Sequence, residues 1–171
     1  MKKKLRIQLI VSVLMTLYFY LQSCNPGSYS EELSGNYFYE DRGADSKNII
    51  NHLPGHKNIY GDVINYDYDS DFIIATQRPS FEGYKREIGF ELRENLKKYP
   101  TNSTEERIQS ENEADSILKH DPYYKSIFRN KINYWIIEHK DGHVYGPLTK
   151  RAYLKKRKEL IVPVDLEAKI E

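Results

Sequence analysis

A chain of 171 residues, 39% hydrophobic and 30% charged, has room for one folded domain and excludes both wholesale disorder and a many-spanning membrane protein. Its formal net charge of +1 conceals an asymmetry: Lys2, Lys3, Lys4 and Arg6 precede the first apolar run without an acidic companion, and without them 22 basic residues face 25 acidic ones. That balance lacks the basic surface general nucleic-acid binding requires, and the single cysteine excludes an intrachain disulfide and a cysteine-based metal cluster.

Met1 to Arg6 are basic, Ile7 to Leu21 almost wholly apolar, and small or polar residues follow, which is the layout of a signal peptide. The apolar run falls short of the roughly 20 residues a spanning helix needs. Leu21, Gln22, Ser23 and Cys24 resemble the bacterial lipobox. That resemblance implies removal of residues 1–23, a diacylglyceryl group on the Cys24 thiol and acylation of the new amine with a palmitate-like chain. Two or more chains are needed because a single myristoyl-sized chain holds only marginally, at about 0.8 kcal/mol per buried methylene. Asn25, Pro26, Gly27 and Ser28 are turn formers, so residues 24–34 read as the lipidated cysteine and a tether. The expected location is the cell membrane or outer membrane, on the exported side.

Residues 35–165 read as one α+β domain, with 166–171 a tail. Tyr37 to Tyr39, Asn48 to Ile50 and Asn58 to Tyr60 suggest short strands. Val63–Tyr68 and Phe72–Gln77, separated by Asp69, Ser70 and Asp71, predict a hairpin with Ile64, Tyr66 and Tyr68 on its buried face. Ile88, Leu92 and Leu96 recur every fourth position, as in a helix stopping before Pro100. Ser103 with Glu106 forms a capping-box pattern for a polar helix to Leu118, and Asp121–Pro122 starts a short helix through Phe128. Tyr134 to Ile137 predict a central strand, Asp141–Gly142 a two-residue type I′ turn, and His143 to Tyr145 the partner strand, ended by Pro147. Thr149 caps a basic helix to Leu160. The predicted architecture is an antiparallel sheet from two hairpins, the C-terminal helix on one face and polar helices inserted in the middle.

The run NYWIIEHKDGHVYGPLTKRAYLKKRKEL from Asn133 to Leu160 resembles the C-terminal signature of an uncharacterised family of small bacterial lipoproteins, of the domain of unknown function 3997 type. VINYDYDSDFIIATQ is similar to a hairpin in that family. The resemblance implies a fold and transfers no catalytic residue.

Chemistry is sparsely marked. Asp67, Asp69 and Asp71 alternate like the start of a calcium loop, but Phe72 and Arg78 stand where that loop needs glycine and glutamate. In a two-residue hairpin His139 lies opposite Val144, so His139 and His143 point to different faces, and Pro54–Gly55 keep His52 and His56 off one helical face. No catalytic motif appears, and neither a metal site nor a cofactor is implied. Tyrosine is abundant at 15 copies and suits wet, half-buried interfaces; Tyr66, Tyr68, Tyr134 and Tyr145 are the candidate interaction surface. The expected function is a membrane-anchored envelope lipoprotein acting as a non-enzymatic binding module, with a protein or envelope polymer as ligand and no nucleic acid. The alternatives are an envelope hydrolase using carboxylates brought together by the fold, and a toxin-immunity-type inhibitor.

Overall fold

The computed structural model describes residues 28–43, 46–53, 55–101 and 103–166. The signal segment and Cys24 lie outside the described residues. Seven strands form one sheet in sequential order: β1 (Tyr29–Glu32), β2 (Tyr37–Asp41), β3 (Lys47–Asn51), β4 (Asp62–Tyr68), β5 (Phe72–Arg78), β6 (Asn133–Glu138) and β7 (His143–Leu148). Every neighbouring pair is antiparallel except β3–β4, which meet in parallel at Lys47 and Asp62. Helices α1 (Phe81–Glu94), α2 (Thr104–His120) and α3 (Pro122–Ile127) lie between β5 and β6, and α4 (Lys150–Leu160) follows β7. The class is α+β.

β5 and β6 are buried on both faces because apolar side chains project alternately to either side. Ile73, Ala75, Trp135 and Ile137 join Tyr84, Ile88 and Leu92 of α1, Ala114 and Leu118 of α2 and Ile127 of α3 in one core. Ile74 and Ile136 face the other way and pack with Tyr153 of α4 and with Val162 and Leu166. The inserted helices therefore cover one face and the terminal helix the opposite one.

The helices start where short polar side chains accept from the first turn. Ser80 accepts from the Gly83 amide at 3.0 Å, Ser103 from Glu106 at 3.2 Å, Asp121 from Tyr123 at 2.7 Å and Thr149 from Ala152 at 3.3 Å. Glu106 reaches back beyond its cap to the Thr101 amide, at 2.8 Å. α1 ends at Glu94, so Leu96 falls outside the helix and is exposed.

Further expectations change. Residues 29–32, assigned to the tether, form an edge strand, and Leu33 is buried. β1 is polar in sequence, but Glu31 accepts from Tyr66 at 2.5 Å and Tyr68 at 3.1 Å. A flat sheet would hold β1 and β4 roughly 14 Å apart, so these contacts require it to curl β1 over β4. Ile64 is not on the buried face: the register shifts between Val63 and Asn65, so Val63 takes the core position and Ile64 is 47% exposed. Asn58 to Tyr60 form no strand; Ile59 makes a single bridge to Ile49. Finally, Glu138 pairs with His143, which makes the last hairpin loop four residues long. Gly142 has a positive φ of 64° and Asp141 does not, whereas a type I′ turn needs both.

Pro147 lies within β7, tolerated because β7 is an edge strand with no further neighbour to receive a donor. Gly146 before it lies under the Trp135 indole, where an added Cβ would be 2.1 Å from Cε3. Gly146→Ala is expected to lower stability by about 1–3 kcal/mol through overpacking against a buried ring. Urea unfolding followed by tryptophan fluorescence measures it, and an unchanged midpoint would show that the strand shifts freely.

Candidate functional site

The displaced Ile64 opens a groove between the sheet and α4. Its apolar wall is Ile64, Tyr134, Tyr153, Leu154 and Leu166, with Lys150 and Arg157 at the rim, and it encloses about 200 Å³. Its far end is closed by the segment after α4, held by Asn65 Nδ2 donating to the Leu166 carbonyl at 2.6 Å and by Arg157 pairing with Asp165 at 3.2 Å. The Tyr153 ring packs against Tyr134 at 5.1 Å between centroids, tilted by 30°. The Tyr153 hydroxyl is buried and has no hydrogen-bond partner among the described residues. Burial, its dominant cause, pushes the phenol up to about 12, so it remains a neutral donor. An unsatisfied buried hydroxyl costs about 1–3 kcal/mol.

Leu154 and Arg157 also belong to a second, shallower opening with Lys158, Ile161, Val162 and Pro163. Leu154 is 48% exposed and Ile161 84% exposed. Ile161 caps α4 in the left-handed region, at φ 55°. A β-branched residue there costs roughly 1–2 kcal/mol, so the fold holds an apolar side chain in solvent at some expense.

The four tyrosines singled out by sequence do not form one surface. Tyr66 and Tyr68 lie on the α1–α3 face and donate to Glu31, and Tyr39 stacks on Tyr66 at 4.5 Å. Tyr134 and Tyr145 pack on the α4 face. Tyr134 lines the groove, while Tyr145 donates to Glu138 at 3.1 Å beneath the Lys156 ammonium. Sequence reading missed Ile64, Tyr153, Leu154 and Leu166; the one available signal was an apolar residue at Leu154 amid the charges of α4.

The histidines have separate surroundings. His139, freed from the ladder by the four-residue loop, contacts the Ser70 carbonyl oxygen at 3.0 Å and Ser34 Oγ at 3.3 Å, tying three strand turns together. His143 lies with Glu138 and Asp141 at metal-ligand spacing, but Asp141 and His143 are exposed and Glu138 already accepts from Tyr145. Asp69 spends its carboxylate on the amides of Asp71 and Phe72, both at 2.8 Å, which fixes a turn.

A different, polar cleft brings His52 and His56 of the β3–β4 loop beside Glu91 and Glu94 of α1. The Glu91 carboxyl is held above the ordinary carboxylate value, chiefly by desolvation and in spite of the Tyr60 hydroxyl 3.5 Å away. A raised carboxyl adds stability below its unfolded-state value, near 4.5, and that contribution is lost as pH rises through the folded-state value. Glu91→Gln should therefore gain stability relative to wild type as pH rises from acidic to neutral. Thermal melts of both proteins across that range test it; a difference independent of pH would contradict the desolvated carboxyl.

The fold is thus a curled sheet with helices on both faces and an apolar groove under its last helix. The family model described as Protein of unknown function (DUF3997) matches residues 34–170, and the chain belongs to that family. No curated protein and no solved structure matches it.

Proposed function

We propose that the protein is an exported lipoprotein, held on the bacterial cell or outer membrane by lipid on Cys24, whose domain binds a ligand without transforming it. The observation carrying the binding reading is the apolar groove with Lys150 and Arg157 at its rim, lined in part by Tyr153, whose hydroxyl is buried and unpartnered among the described residues. Such a site suits a ligand with an apolar portion and a negatively charged or hydrogen-bond-accepting group. The anchor reading draws on the basic, apolar and lipobox-like segments in succession. It is compatible with the described residues, among which no helix is long and apolar enough to cross a membrane.

A second reading, an envelope hydrolase, draws on the desolvated Glu91 in the cleft with Glu94. It requires that purified protein cleave an envelope polymer and that Glu91→Gln abolish the cleavage. The anchor has a direct test: Cys24→Ser should remove acyl labelling and shift the protein from the detergent phase to the aqueous phase. Unchanged labelling and partitioning would refute it.

A further inference from the structure

The cations of α4 are not evenly spread. Lys155 and Lys156 pair with Glu159 at 3.8 and 2.6 Å, and Arg157 pairs with Asp165. Lys150, Arg151 and Lys158 are exposed and have no ion-pair partner among the described residues. At 100° per residue, Lys150, Leu154 and Lys158 fall in line one turn apart, Arg151 stands beside them, and Glu159 lies on another flank. The same flank thus presents three unpaired cations, exposed Leu154 and, at its end, the strained and exposed Ile161. Cations interleaved with protruding apolar side chains are the chemistry of a surface that meets lipid headgroups and the acyl boundary together.

The register fixes at which end of the sheet this helix begins. Tyr29 pairs with Asp41, Asp41 with Lys47, Lys47 with Asp62, Asp62 with Arg78, Gln77 with Asn133, and Tyr134 with Leu148. Tyr29 and Leu148 therefore lie at one end of the sheet, and Lys150 and Arg151 start α4 at the end where the chain enters β1. Only Asn25 to Ser28 separate Tyr29 from Cys24.

We infer that the exposed flank of α4 docks on the anionic phospholipid surface to which the chain is tethered, with Lys150, Arg151 and Lys158 on headgroups and Leu154 and Ile161 in the acyl boundary. This rests on the Cys24 anchor, which supplies a high effective concentration of bilayer and lets weak contacts suffice. Each cation near an anionic surface contributes roughly a five-fold gain, so the three together contribute on the order of a hundred-fold. The groove then opens at the membrane, so its occupant is drawn from that interface.

The test places the acylated full chain, carrying Leu154→Trp as a reporter, in vesicles whose acyl chains are brominated. In phosphatidylglycerol vesicles the new indole should shift to shorter wavelength and be quenched. Phosphatidylcholine vesicles, raised salt, or the triple change Lys150→Glu, Arg151→Glu and Lys158→Glu should each remove most of the quenching. An indole that stays in water with anionic lipid would overturn the inference, as would equal quenching in neutral and anionic vesicles. Crosslinking of this flank to an acidic protein, with no quenching, would also overturn it, in favour of a protein partner. Acyl labelling of Cys24 in the same preparation reads the anchor separately, so loss of the anchor and loss of docking are distinguishable.

Discussion

The carboxamide of Gln77 is the contact on which the rest of the fold depends. It is fully buried at the end of β5, and all four of its hydrogen-bonding positions are used. Nε2 donates to the Tyr60 carbonyl and, at 2.8 Å, to the Tyr84 hydroxyl; Oε1 accepts from Trp135 Nε1 at 3.0 Å and Asn133 Nδ2 at 3.2 Å. Asn133 passes the chain on to the Ile127 carbonyl at 2.8 Å and accepts from Asn130 at 3.2 Å. One amide thus joins the approach to β4, both doubly buried strands, α1 and the end of α3. A buried polar network is costly when half satisfied and specifies a single arrangement when complete.

With β5 and β6 fixed in this way, the two faces of the molecule divide their work. The α1–α3 face takes the large aromatic core and the Glu31–tyrosine contacts that close the sheet. The other face keeps only a small core, Ile74 and Ile136 against Tyr153, Val162 and Leu166. A small core leaves room, and the Val63–Asn65 irregularity directs Ile64 into it. The groove and the exposed Leu154 follow from that asymmetry, and α4 begins at the same end of the sheet as β1.

What was legible in the sequence was local. The caps at Ser103, Asp121 and Thr149 are hydrogen bonds between residues two or three apart, and each helix begins there. β6 was legible because an unbroken apolar run too short for a helix has one stable use, a strand covered twice, whereas β5 reads in sequence only as half of a hairpin and its second covered face is supplied by α4. β1 was not, since YSEE has no apolar face and its place depends on Glu31 reaching Tyr66, 35 residues away. The Ile64 displacement leaves no local mark, and the groove depends on Asn65 meeting Leu166, 101 residues on. The last turn was misread because Asp–Gly fits two loop lengths, and the Glu138–His143 register decides between them.

Equilibrium urea unfolding of Gln77→Met tests the dependence on that amide, because methionine keeps the volume and removes the polar atoms. The account predicts a loss of about 3 kcal/mol or more, as the Trp135 and Asn133 donors lose their shared acceptor in a dry core. It also predicts faster amide exchange in α1 and β6 together. Unchanged stability with unchanged exchange would contradict the account, since the strands and helices would then be held without the carboxamide.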